Sequence, residues 1–92
     1  MIRNFIHKGL KNFYLTGSTA GIQARHASRV RVILAQLNQA KTIEDMDIPT
    51  LRLHQLKGDR KDIWSVVVQG NWRITFRFED EGAEIVNYED YH

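Results

Sequence analysis

The chain has 92 residues, enough for one hydrophobic core and too few for a second, so a single domain spanning residues 1–92 is expected. Apolar residues make up 42% and charged residues 26%, which excludes a disordered chain, and the absence of cysteine excludes a disulfide framework and thiolate zinc binding. Thirteen basic and eleven acidic residues leave a net charge of +2, but the signs are unevenly placed: Lys and Arg run through the body, and most acids gather at 44–47, 79–84 and 89–90.

Met1 to Phe5 reads as a short strand, and its lack of a secretory apolar run makes the cytoplasm the expected location. No later segment is long and apolar enough to span a membrane. A helix is predicted from about His7 to Thr16, with Leu10, Phe13 and Tyr14 on one face and Gly17 just past its end. A second runs from about Ile22 to Ala40, where Val30, Ile33, Leu34 and Leu37 repeat at helical spacing and Arg25 and Arg29 occupy the opposite face. Thr42 followed by Asp45 has the look of a helix cap, and Pro49 closes that segment.

Beyond Pro49 the period changes from helical to alternating. Strands are expected over Leu51–Leu56, Ile63–Gln69, Trp72–Glu79 and Ala83 to about Tyr88, with turns at Gly58-Asp59, Gly70-Asn71 and Asp80-Glu81-Gly82. The fold class is therefore α+β: an N-terminal strand and two helices packed on a mainly antiparallel sheet.

Alternation sends Trp72, Ile74, Phe76 and Phe78 to the core face and Arg73, Thr75 and Arg77 to the other. His54 shares that uncovered face, Lys57 sits just beyond it, and Asp90-Tyr91-His92 can fold over the same surface. Taken singly, each of these side chains is ordinary surface or tail chemistry. Together they supply what RNA cleavage by the RNA's own 2′-hydroxyl needs. An imidazole or carboxylate takes the 2′-OH proton, Lys57 and Arg73 stabilise the extra charge on the phosphorane-like transition state, and His92, His54 or Tyr91 protonates the departing 5′-oxygen. Two His and one Asp are conceivable metal ligands, but they lack a compact ligand spacing and sit among cations, so no metal or cofactor is expected.

Three segments carry a resemblance: Leu53-His54-x-Leu-Lys57-Gly58-Asp59-Arg60, Asn71-Trp72-Arg73-Ile74-x-Phe76 and Tyr88-Glu89-Asp90-Tyr91-His92. With Trp64-Ser65 and the opening Met1-Ile2-x-x-Phe5-x-His7-Lys8-Gly9-Leu10-Lys11, they make the chain similar to the HigB toxins of the RelE superfamily over nearly its whole length. The departure is Gln55, where several relatives place Pro.

The resemblance implies a fold of the microbial-ribonuclease type. It also implies a ribosome-dependent endoribonuclease that cuts translated mRNA in the A site of the 70S ribosome and leaves a 2′,3′-cyclic phosphate. A cognate HigA helix-turn-helix antitoxin is implied as partner, with operator DNA bound only through their complex. Carried over by position, the catalytic candidates are His54, Lys57, Arg73, Asp90, Tyr91 and His92, with His92 as the main acid–base group and His54 as its partner or a substrate-orienting residue. Lys8, Lys11, Arg25, Arg29 and Arg77 are expected to meet RNA backbone on the ribosome. The rivals are a ParE-like gyrase-inhibiting toxin on the same fold and a non-catalytic RNA- or ribosome-binding module. The Asp-Tyr-His ending favours the nuclease.

Overall fold

A computed structural model describes residues 1–91; His92 lies outside the described residues. Helix α1 spans Lys8–Thr16. The His7 ring caps it, its Nδ1 accepting the Leu10 N–H at 2.9 Å, and Gly17 ends it in the left-handed region at φ 81°. The expected second helix starts as a 3₁₀ turn at Ala24–His26 and becomes helix α2 over Ala27–Gln39. A Cβ on Gly9 would fall 2.8 Å from the Gly21 Cα, so glycine at both positions lets α1 and the lead-in to α2 meet backbone to backbone.

The capped segment after α2 forms as expected, with Asp45 Oδ2 accepting the backbone N–H groups of Lys41 and Thr42. The strand expected over Leu51–Leu56 shrinks to β1, His54–Gln55. Pro49 opens a 3₁₀ turn that runs to Leu51, and Arg52 then takes φ 50°. The backbone is still turning where the alternating pattern asks it to pair.

β2 (Trp64–Gln69), β3 (Trp72–Glu79) and β4 (Gly82–Asp90) complete an antiparallel sheet of order β1-β2-β3-β4. Gly70-Asn71 makes the β2–β3 hairpin as its sequence predicts. The β3–β4 turn is tighter than expected. Asp80 and Glu81 alone span it, both at positive φ (52° and 61°), as a right-twisted hairpin requires. Arg3 donates from Nη1 to the Glu79 carbonyl at 3.1 Å and from Nη2 to the Asp80 carbonyl at 2.5 Å, and the Met1 ammonium donates to the Glu81 carbonyl at 3.0 Å. Glutamate is costly in this conformation. Glu81→Gly is expected to stabilise the protein by about 0.5–1 kcal/mol, read as a raised urea midpoint with an unchanged slope.

The N-terminal segment, expected as a strand, pairs with β4 only through two isolated parallel bridges, Ile2 with Ala83 and Phe5 with Val86. Between those bridges β4 carries a bulge. Thr75 faces Asn87 and Arg77 faces Glu84, so two steps on β3 match three on β4, and Ile85 sits at φ 48°. The extra residue changes the phase of the strand. Ala83, Val86 and Tyr88 all enter the core, whereas Glu84, Asn87 and Glu89 face the same side as Arg77, Thr75 and Arg73.

Both helices lie on the opposite side. Leu10, Val30, Ile33, Leu34 and Leu37 pack with Val66, Ile74, Phe76 and Val86 in one cluster, and Trp64 and Trp72 lie partly buried at its edge. The other sheet face carries no helix, and it holds the site. Among the described residues, no helix is long and apolar enough to cross a membrane.

Candidate active site on the open sheet face

The register lines up two rows of side chains. His54, Ser65, Thr75 and Asn87 stand opposite one another across all four strands, and Val67, Arg73 and Glu89 form the next row. Arg73 is half-buried; its Nη1 donates to Ser65 Oγ at 3.5 Å, and its guanidinium carbon lies 5.6 Å from the centre of the Tyr91 ring. Arg73 Nε is shielded from water and has no hydrogen-bond partner among the described residues. Leaving such an N–H unpaired costs about 1–3 kcal/mol.

His54, Lys57, Asp90 and Tyr91 are exposed. Lys57 begins the 3₁₀ turn Gly58–Arg60 that follows β1. Thus the structure brings His54, Arg73 and Tyr91 to one face through Ser65 and the β4 exit, with Lys57 on the adjoining loop. Asp90 closes β4 next to Tyr91, whose backbone N–H donates to the Asn71 carbonyl at 2.8 Å and holds the exit beside the β2–β3 turn. His92 was placed in the site by sequence and lies outside the described residues. No three His, Cys, Asp or Glu side chains among the described residues come together as metal ligands do.

The centre of the face is a carboxylate that the sequence reading left without a role. Glu89 accepts a bidentate pair from Arg60, Nη1 to Oε1 and Nη2 to Oε2, both at 2.9 Å. Thr75 Oγ1 donates to Oε2 at 2.7 Å and Asn87 Nδ2 at 3.1 Å. The Arg60 contact first, then those from Thr75 and Asn87, hold its pKa below the usual carboxylate range against the opposing effect of burial. Arg60 stood in a recognised motif, but only the β4 register shows that Glu89 reaches it.

The residues expected to meet RNA backbone divide. Lys8, Lys11 and Arg25 are exposed. Arg29 turns inward, donating to the Val67 carbonyl from Nε at 3.2 Å and to the Thr50 carbonyl from Nη2 at 2.5 Å. Arg77 is paired with Glu84 at 2.7 Å.

His26 escaped notice because it reads as one more polar residue before a helix. It is buried, its Nδ1 2.6 Å from the Tyr88 hydroxyl, with Trp72 stacked on Tyr88 at 4.6 Å. Burial, then the neighbouring Arg25, lowers its pKa, while the Gln69 side chain works the other way. A histidine whose folded pKa lies below its unfolded value near 6.5 stabilises the fold fully above that pH and loses its contribution as pH falls below it. Urea stability is therefore expected to decline from about pH 6.5 downward, before the lowered carboxylates Asp45, Glu84 and Glu89 contribute their loss below about 4.5. An NMR titration that found the His26 ring protonating at or above the free-histidine value would contradict this.

Two helices on one face of an antiparallel sheet, with fixed cations and an aromatic exit strand on the other, form the layout of a RelE-like toxin. A family model described as the RelE-like toxin of type II toxin–antitoxin system HigB matches residues 3–92, and the chain belongs to that family. It is similar to Endoribonuclease HigB of Proteus vulgaris, with 45% identity over 92 residues covering all of both chains.

Proposed function

We propose that the protein is an endoribonuclease toxin that cuts translated mRNA in the ribosomal A site and is neutralised by a HigA antitoxin. The observation that supports this best is the Arg73 guanidinium, held between Ser65 and Tyr91 on an open sheet face that also carries His54. A phosphate laid over that face meets a preorganised cation, a second cation at Lys57 and an imidazole within one layer of side chains.

In this scheme the RNA's 2′-oxygen forms a bond to phosphorus as its proton leaves to a base, and the bond from phosphorus to the 5′-oxygen breaks as that oxygen gains a proton. His92 is the main acid–base group, with His54 its partner or a substrate-orienting residue; Asp90 and Tyr91 complete the constellation. Lys57 and Arg73 carry the charge that builds on the phosphoryl oxygens. The scheme uses no metal and no cofactor. The product is a 2′,3′-cyclic phosphate.

The helical layer supplies the approach to the ribosome. No Asp or Glu precedes Glu44, whereas Arg3, Lys8, Lys11, Arg25, Arg29, Arg31 and Lys41 all fall in that stretch. The exposed Lys8, Lys11 and Arg25 meet ribosomal RNA backbone in this reading, an interaction that weakens with salt. The cytoplasm, where translated mRNA and the antitoxin are found, is its proposed location, with operator DNA bound only through the antitoxin complex.

Primer extension on an mRNA in a purified translation system tests the reading. Discrete cuts that require translation support it. Intact mRNA, with gyrase blocked or the ribosome merely occupied, overturns it in favour of a gyrase poison or a silent binding module.

A further inference from the structure

We propose that Glu89 and Arg60 form a clamp that positions Lys57 over the site, making Glu89 a positioning residue and not the base of the reaction. The inference rests on the endoribonuclease reading and deepens it.

Glu89 is the register partner of Arg73, yet its carboxylate is bonded to Arg60, which arrives from the loop between β1 and β2. That loop is pinned at its base by the Leu56 N–H donating to the Ile63 carbonyl at 2.8 Å and by the Gln55 side-chain amide donating to the Lys61 carbonyl. Neither contact reaches the open face. The Arg60–Glu89 pair does, tying the turn that starts at Lys57 to the end of β4 across the face. Lys57 itself is exposed on a flexible stem, so the backbone beneath it sets which part of the face its ammonium can reach.

The geometry also assigns the charges. A bidentate carboxylate neutralises Arg60, and Thr75 and Asn87 fill the remaining acceptor positions of Oε2. Glu89 so engaged is a weak base, with Oε2 accepting three hydrogen bonds and Oε1 held by Arg60. Arg73, in contrast, keeps its guanidinium uncommitted to any carboxylate among the hydrogen bonds and ion pairs of the described residues, and it is the cation left for the phosphate. The β4 bulge is what makes the clamp possible, because without the extra residue the alternation set by Ala83 would turn Glu89 toward the core.

The test is single-turnover mRNA cleavage by the full chain in the translation system, with Arg60→Ala, Glu89→Gln and Lys57→Met made singly and combined. The wild-type arm reports on the nuclease reading alone: no wild-type cuts reject that reading, and the variants address the clamp only where wild type cuts. The expected result is a roughly 10- to 100-fold slower rate for Arg60→Ala and for Glu89→Gln, with ribosome affinity within about threefold of wild type. Lys57→Met should then cost much less in either background than it does alone, because its cation is already misplaced. Melting curves confirm folding, and the acid limb of the rate profile stays where it was. Three results each overturn the clamp. One is an acid limb removed by Glu89→Gln while Arg60→Ala is normal, which makes Glu89 a base. The second is wild-type rates in both single variants, and the third is an undiminished Lys57→Met loss in both backgrounds.

Discussion

Arg73→Lys is expected to slow mRNA cleavage by roughly 10²- to 10³-fold at saturating ribosomes, the usual cost of removing a preorganised donor from a charge that develops in the transition state. Lysine keeps the charge and loses the fork. Its ammonium has donors enough for Ser65 and a phosphate, but it cannot present two parallel N–H groups from one rigid plane, and its point charge replaces the guanidinium that sits 5.6 Å from the Tyr91 ring centre. The same holds for the buried Nε, which has no partner among the described residues, because an ammonium has no counterpart to hold in that position. Arg73 is flanked on β3 by the core residues Trp72 and Ile74, whose faces point away, so the variant should fold and melt close to wild type. A folded Arg73→Lys protein that cuts within about fivefold of wild type would remove Arg73 from the transition state.

His92→Gln is expected to lower cleavage by at least ~100-fold. Glutamine can hydrogen-bond where imidazole does, but it cannot exchange a proton near neutral pH, so the loss reports proton transfer and not placement alone. The accompanying change in the pH–rate profile should be the disappearance of one limb. Near-normal turnover in a folded His92→Gln protein moves the role to Asp90 or His54, and the matching His54→Gln and Asp90→Asn rates then decide between them.

Elements whose pattern is local were legible in the sequence. The α1 and α2 stripes, Gly17 as a helix stop and the Gly70-Asn71 hairpin all declare themselves within a few residues, and the structure places them as expected except for Tyr14, which is exposed beside the buried Leu10 and Phe13. The open face of β3 was equally readable, because the alternation of Trp72 through Phe78 is unbroken. Elements that depend on a change of phase were not. Ile85 gives no sign that a β-branched residue will sit at φ 48°, and strict alternation from Ala83 would send Asn87 and Glu89 into the core. For the same reason the Arg60–Glu89 pair was hidden although both residues lie inside family motifs. The strand expected over Leu51–Leu56 shows a local pattern overridden by backbone. Its apolar alternation is present, but the Pro49 turn and the left-handed Arg52 leave only His54 and Gln55 free to pair. Arg29 looked like a solvent-facing cation by helical position, and only tertiary packing reveals the Val67 and Thr50 carbonyls waiting for it.

The measurement that bears most directly on the central claim uses a translated mRNA with a single 2′-deoxynucleotide on the 5′ side of a mapped cut. This bond is expected to stay intact while the all-ribose message is cut there, leaving a 2′,3′-cyclic phosphate. Cleavage of the deoxy-substituted bond, or product ends bearing a free 3′-hydroxyl, would contradict attack by the 2′-oxygen, and with it the role given to the open sheet face.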